Sequence, residues 1–242
     1  MKESFIHFSE IDPLRPETWE GKRILSLDVD WAPEPVLENV IERLKVSGIK
    51  FTLFVTHESE VLKRNYKEEK IEWGLHPDFN PLLKQEKGAK SPSETIAALK
   101  EIVPQAEVLR SHSMTHSGSW LGIYKEAGIT HLSQYYLPDC ETISPIAHLN
   151  GIVEAPVYFA DDGLLFNSRL NEGKISETAA RIRKPGSFLK VLNFHPIHVF
   201  LNSGSMEAYT NYKTASVKGG EDLSKFVSPQ PGISDLFAEI VS

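Results

Sequence analysis

The stretch that decides the fold is Ile24-Leu25-Ser26-Leu27-Asp28-Val29-Asp30-Trp31. It begins as an apolar run of strand length and ends in two acids, which an extended strand would place on one face. Neighbouring carboxylates repel each other and resist desolvation, so a buried pair needs a stabilising partner. A cation could supply it, as could a division into one metal ligand and one proton acceptor. Alternatively, the strand has already reached solvent and both acids are hydrated. The stretch alone leaves both interpretations open.

The sequence around this strand alternates between strand and helix patterns. Apolar residues recur at helical spacing from Val36 to Leu44, Gly48 ends that helix, and residues 49–56 form the next apolar run. Strand, helix and strand in so short a space indicate a parallel βαβ unit. The alternation continues and predicts seven strands, at residues 24–31, 49–56, 71–75, 106–109, 129–132, 152–157 and 188–194.

This order predicts an α/β fold, a single (β/α)7-type distorted parallel barrel over residues 1–242. An open doubly wound sheet is the competing architecture, although no glycine-rich nucleotide-binding turn follows the first strand. Residues 77–90 and 203–232 are predicted as loops, and the simpler interpretation of Asp161-Asp162 before Gly163 is that they only build a turn.

Composition excludes several classes of function. The chain has 242 residues and a formal net charge of -7, without a basic cluster, which argues against nucleic acid or an anionic membrane as a partner. The single cysteine, Cys140, excludes an intrachain disulfide and a cysteine-based metal site. We expect a cytoplasmic protein without a transmembrane segment, because no apolar stretch has the length of a signal peptide core or a membrane span. The oligomeric state stays open.

Polar residues cluster where the predicted strands end, which is the edge that carries the chemistry in parallel α/β folds. Six of the nine histidines lie at or just beyond such an end. This concentration favours a metal-dependent hydrolytic site. Each residue also has a simpler interpretation: Asn80 as a turn residue, Arg110 as an ordinary ion-pair partner, and His57 as a helix cap. The strand-end residues are Asp28, Asp30, His57, His76, Asn80, Arg110, His112, His116, Asp161, Asp162, Asn193, His195 and His198.

The order of these strand-end groups resembles the polysaccharide deacetylases, the NodB-like enzymes of carbohydrate esterase family 4. Similar motifs cover most of the chain: Leu27-Asp28-Val29-Asp30, Lys50-Phe51-Thr52-Leu53-Phe54-Val55, Glu72-Trp73-Gly74-Leu75-His76, Val108-Leu109-Arg110 and Leu192-Asn193-Phe194-His195. The resemblance implies that Asp28 is the catalytic base and that Asp30 and His76 are metal ligands. It also implies that Arg110 orients the base and that His195 protonates the leaving group.

Two departures from the family pattern concern the metal. Asn80 stands where the family has a second histidine ligand, and the arginine motif continues into Ser111-His112-Ser113. We expect His112 to restore the third protein ligand across the barrel mouth, with Asn80 as a weak ligand or a group behind the ligands. The resemblance is greatest to a diverged branch associated with the biosynthesis of surface polysaccharide and O-antigen.

The resemblance implies hydrolysis of an N-acyl group, acetyl or formyl, on a carbohydrate substrate. Zn²⁺ is the expected cofactor, with Ni²⁺, Co²⁺ or Mn²⁺ as alternatives. Trp31, Asn193 and Asp161 are expected to bind substrate, and Asp161 or Asp162 to raise the pKa of His195. Two other functions stay open: a glycosidase-like hydrolase on a related barrel, and a carbohydrate-binding domain that has lost its metal.

Overall fold

The computed structural model describes residues 5–216 and 222–242 of the chain. Its centre is a nine-stranded sheet in the order β6-β7-β5-β4-β3-β2-β1-β9-β8, in which β6 alone is antiparallel to its neighbour. The strands are β1 (Arg23–Asp28), β2 (Phe51–Val55), β3 (Ile71–Leu75), β4 (Val108–Leu109), β5 (His131–Leu132), β6 (Ile146–Ala147), β7 (Val153–Glu154), β8 (Val157–Ala160) and β9 (Lys190–Phe194).

Backbone hydrogen bonds close part of this sheet on itself. The chain beyond β5 pairs with β8, since Leu137 N donates to Val157 O over 2.9 Å and Val157 N donates to Tyr135 O over 2.7 Å. The sheet therefore curls into a distorted barrel of mainly parallel strands, in which β1 lies between β2 and β9. The predicted α/β barrel is confirmed, and the open doubly wound alternative is wrong.

Helices follow most of the strands. Gly48 ends the first in the left-handed conformation at φ 70°, and Ser91 with Glu94 forms the capping box that begins the fourth. The helices are α1 (Glu34–Ser47), α2 (Glu60–Arg64), α3 (Asn80–Leu83), α4 (Pro92–Ile102), α5 (Leu121–Glu126), α6 (Asp161–Asn167), α7 (Glu172–Arg183), α8 (Pro196–Leu201), α9 (Met206–Ser216) and α10 (Ile233–Val241).

The structure corrects three local predictions. The predicted strand at 152–157 is two strands, β7 and β8, because Pro156 lies between them and a proline cannot donate to the ladder. The predicted loops contain α3 and α9; in α9, Met206, Tyr209 and Tyr212 recur every three residues and pack on the core. Asp161 begins helix α6 instead of building a turn. Residues 217–221 of the predicted loop lie outside the described residues.

The two faces of β1 pack into two different apolar clusters. Leu25 and Leu27 pack in the layer between sheet and helices, while Ile24 packs inside the barrel with the N-terminal segment that includes Phe8 and Trp19. Ser26 and Asp28 follow Ile24 at strand spacing, so Asp28 enters the barrel mouth from the inner face. The single domain expected over residues 1–242 stays a prediction. Among the described residues, no helix combines the length and apolarity needed to cross a membrane.

Candidate metal and catalytic site

The two acids after β1 reach the barrel mouth through a turn. The strand ends at Asp28, and Asp30 and Trp31 have left-handed backbone angles, with φ 46° and 55°. Left-handed angles are costly for residues other than glycine, on the order of 1–3 kcal/mol each, and concentrate at functional sites. Hydrogen bonds from Val29 N to Phe54 O (3.1 Å) and from Trp31 N to Thr56 Oγ1 (3.0 Å) hold the turn. The extended geometry assumed from the sequence therefore ends before Asp30.

Asp28 is a buried carboxylate with a donor on each oxygen. Arg110 Nη1 donates to its Oδ1 over 2.9 Å, and Asn193 Nδ2 donates to its Oδ2 over 2.7 Å. Burial raises the pKa of Asp28, but the charges of Arg110, His76 and His195 outweigh burial and hold that pKa below its ordinary value. Asp28 is therefore ionised at neutral pH and can accept a proton.

Arg110 is held rigidly although it is completely buried. Its Nη2 donates to Ser133 Oγ over 2.8 Å, its Nε to Ser133 O over 3.2 Å, and Nη1 also donates to Asn193 Oδ1 over 2.7 Å. Its guanidinium carbon lies 4.4 Å from the centre of the Phe54 ring. A buried cation with these bonds fixes the orientation of the Asp28 carboxylate.

Asp30, His76 and His112 form a group that could hold a metal ion. Asp30 Oδ1 lies 3.2 Å from His76 Nε2 and 3.0 Å from His112 Nδ1, and the three ligand atoms lie within 4.8 Å of one another. The Nδ1 of His76 is buried and has no hydrogen-bond partner within residues 5–216 and 222–242. It lies 3.8 Å from Asp28 Oδ1, so Nε2 is the atom that faces the group. One carboxylate and two imidazoles fit the donor set of a catalytic zinc site, which has three protein ligands and one open position.

The charge state of this group suits a cation. Burial raises the pKa of Asp30, but hydrogen bonds with His112 and His76 outweigh burial and hold that pKa far below its ordinary value. Hydrogen bonding to Asp30 raises the pKa of His112. Two imidazoles thus converge on one ionised oxygen, an arrangement in which a divalent cation could replace the protons.

His112 lies on a loop with its own backbone strain. The loop forms a 3-10 turn (His112–Met114), in which Ser113 and Met114 have φ 56° and 51°. The loop is anchored at Ser111, whose N and Oγ donate to Gln134 Oε1 over 3.3 Å and 2.8 Å. This anchoring brings His112, separated by 82 residues in sequence, to Asp30.

Asn80, the other expected ligand, is bonded to this loop. Its Nδ2 donates to Ser113 Oγ over 3.3 Å, and its Oδ1 accepts from Thr115 Oγ1 over 3.0 Å. Both amide atoms are thus engaged away from Asp30 and His76. These contacts favour a role for Asn80 behind the ligands, where it supports the loop that carries His112.

His195 is paired with a buried acid. Asp161 Oδ2 accepts from His195 N over 2.8 Å, and Asp161 Oδ1 lies 2.6 Å from His195 Nδ1. Burial lowers the pKa of His195, but the charge and hydrogen bond of Asp161 outweigh burial and raise that pKa well above its ordinary value. The imidazole is therefore protonated, and its Nε2 lies 4.0 Å from Asp28 Oδ2 and 3.7 Å from Asp30 Oδ2.

The structure places the three expected substrate contacts in different surroundings. Asp161 is fully buried with both oxygens at His195, so a substrate cannot reach it. Trp31 is half exposed and packs edge-on against the His112 ring, 5.2 Å between centres, but it does not line the cavity above the site. Asn193 does line that cavity, although its amide is already bonded to Asp28 and Arg110.

A cavity of about 390 Å³ lies directly above these groups. Its floor contains Asp28, Asp30, His76, His112, Asn193 and His195. The sequence interpretation missed the aromatic residues of its walls, Tyr136 and Phe166. A helical signal was present, because Asp162 and Phe166 stand four residues apart and so share one face of α6.

Comparisons with known proteins agree with this geometry. The family described as "WbmS-like: Polysaccharide deacetylase" matches residues 25–213. A crystal structure from Bordetella bronchiseptica, assigned as a polysaccharide deacetylase involved in O-antigen biosynthesis, is similar at a TM-score of 0.86 and 27% sequence identity; the match covers 99% of this chain and 98% of that one. A comparison with curated proteins found no match.

Two further solved structures are similar only at a low level. A polysaccharide deacetylase structure from Mycobacterium smegmatis has a TM-score of 0.46 and 16% identity, over 91% of this chain and 90% of that one. A 4-alpha-glucanotransferase from Thermococcus litoralis has a TM-score of 0.46 and 11% identity, over 90% of this chain and 38% of that one. The resemblance to polysaccharide deacetylases inferred from the strand-end motifs is confirmed by the family match and the Bordetella structure.

Proposed function

Because this chain belongs to the WbmS-like polysaccharide deacetylase family, we propose that it is a metal-dependent hydrolase of polysaccharide biosynthesis. It removes an N-acyl group, acetyl or formyl, from a sugar or a sugar-containing intermediate. The observation that supports the proposal most is the convergence of Asp30, His76 and His112 beside two further pairs, Asp28 with Arg110 and His195 with Asp161.

Asp30, His76 and His112 would hold the cation, with zinc as the first choice and nickel, cobalt or manganese as alternatives. When bound, such an ion lowers the pKa of a coordinated water and polarises the amide carbonyl. The bonds of Asn80 to the His112 loop make it a supporting group in this proposal.

The remaining roles belong to the two pairs. Asp28 is ionised and takes the proton of the attacking water, while Arg110 and Asn193 keep its carboxylate fixed. His195, kept protonated by Asp161, gives a proton to the departing amine. The two environments thus keep Asp28 basic and His195 acidic within one cavity.

The test is acetate or formate release from a panel of N-acylated sugars and their nucleotide conjugates, with and without a chelator. We expect release that stops with the chelator and returns with zinc, and about one equivalent of metal in protein purified without chelator. A glycosidase would release reducing sugar instead, and a binding domain would release nothing.

Variants test the ligand assignment separately from activity. Asp30→Ala, His76→Ala and His112→Ala should each lose most of the bound metal, while His57→Ala, which removes a histidine at another strand end, should retain it. Full metal occupancy in His112→Ala together with loss in Asn80→Ala would reverse our choice of third ligand. The cytoplasmic location stays a prediction.

A further inference from the structure

The size of the cavity limits what it can enclose. At about 390 Å³ it lies near the lower end of the roughly 300–1,000 Å³ that small-molecule sites span. Ser113 and Met114 of the strained loop line it, and so does the face of α6 that carries Asp162. A space of this size suits one sugar ring and its acyl group, and is too small for several linked rings.

The wall formed by α6 has the chemistry of a sugar-binding surface. Asp162, Gly163, Phe166 and Asn167 stand at i, i+1, i+4 and i+5, so one helix face turns all four toward the cavity. The Phe166 side chain is 71% exposed although it is apolar. An aromatic face packs against the C–H face of a pyranose, and nearby polar groups can bind its hydroxyls.

Asp162 can supply such a hydroxyl contact. Its Oδ1 accepts from Gly163 N over 2.7 Å, and its other carboxylate oxygen accepts no hydrogen bond from the residues that the structure describes. Tyr136 lines the cavity next to α6, and its hydroxyl lies 2.6 Å from the place where a Cβ on residue 163 would stand. Glycine at this position therefore lets the tyrosine ring approach the helix.

From this size and this wall we propose that the cavity binds a single N-acylated sugar residue, free or at the end of a chain, with its ring against Phe166. A space of about 390 Å³ takes one ring with its acyl group, so an interior unit would have no room inside it for the rings linked on both of its sides. This inference rests on the proposed function and narrows its substrate class to a monomeric or terminal sugar.

The first measurement is binding, with metal removed by a chelator so that hydrolysis cannot interfere. Isothermal titration of the full chain with N-acetylglucosamine, N-acetylgalactosamine and β-1,4-linked N-acetylglucosamine oligomers of two to five units should give affinities that do not rise with length by more than about twofold. Phe166→Ala should weaken binding about fivefold or more, and Phe166→Tyr should restore it. The matched control is Leu149→Ala, which removes another exposed apolar side chain outside the cavity.

The second measurement locates acyl release within the pentamer by mass spectrometry, using zinc-loaded protein. Release from a terminal unit only is expected. Release from interior units, affinity that rises tenfold with length, unchanged binding in Phe166→Ala, or no binding by any probe would each overturn the inference. Interior release would leave the deacetylase proposal intact. Length-independent binding without acyl release from any sugar of the panel would instead refute the deacetylase and leave the single-sugar cavity standing.

Discussion

Glu154 offers a test in which stability changes with pH in a known direction. Its side chain is buried at the end of β7, where Oε1 accepts from Gln134 N over 2.7 Å and Oε2 has no hydrogen-bond partner among the described residues. Burial raises the pKa of Glu154 from 4.5 to about 7. Gln134 also accepts a hydrogen bond from Ser111, which anchors the loop that carries His112. The protonation state of Glu154 is therefore linked through Gln134 to the position of that loop.

The sign follows from proton binding. Between pH 4.5 and about pH 7 the folded protein holds a proton that the unfolded chain has lost. The free energy of unfolding therefore falls as pH rises, and this contribution is fully present below 4.5 and lost above about 7. Each pH unit between the two pKa values changes the free energy of unfolding by about 1.4 kcal/mol, so the change over the whole pH range is about 3 kcal/mol.

The perturbation is Glu154→Gln, which keeps the shape of the side chain and cannot ionise. We expect the wild type to lose about 3 kcal/mol of unfolding free energy relative to this variant between pH 4.5 and pH 8. Urea denaturation of the metal-free proteins at half-unit pH steps measures the difference. Glu101→Gln, at an exposed position of α4, controls for the loss of one carboxylate. A difference between wild type and Glu154→Gln that stays constant within about 0.5 kcal/mol would refute the reasoning.

Three further predictions concern the site. Arg110→Met leaves Asp28 buried without its cation, so unfolding free energy should fall by about 3–5 kcal/mol in urea denaturation and acyl release by about 100-fold; unchanged kinetics would contradict the role of the pair. Gln134→Leu removes the oxygen that anchors the His112 loop, so metal affinity in a competition titration should fall about tenfold while the fold is retained. Gly163→Ala should displace the Tyr136 ring from its place in the cavity wall and raise KM with little change in kcat, and equal KM values would argue against this wall as a sugar contact.

Local chemistry explains why much of the fold could be predicted. The apolar run of β1, the left-handed glycine that ends α1 and the capping box of α4 depend on neighbouring residues, and the sequence shows those directly. The alternation of strands and helices then predicts a parallel barrel with its polar residues at one edge. The helix α9 was missed because its apolar residues recur only every third position within a polar segment.

Positions set by distant contacts could not be predicted in the same way. The sequence places Asp161 near a strand end, but only the packed structure shows it fully buried against His195 and out of reach of a substrate. Phe166 shares a helix face with Asp162 at a spacing of four residues, but it lines the cavity only because α6 begins immediately after β8.

The sequence by itself determined the strand-end residues, the family and the expected edge of the barrel, because these follow from periodicity and residue type along the chain. Tertiary structure alone decided which of those residues meet: two strained turns bring Asp30 and His112 together across 82 residues, while Asn80 is bonded to the loop instead. The physical reason is that a metal group requires atoms within a few ångströms of one another, and such distances are fixed by long-range packing and backbone strain.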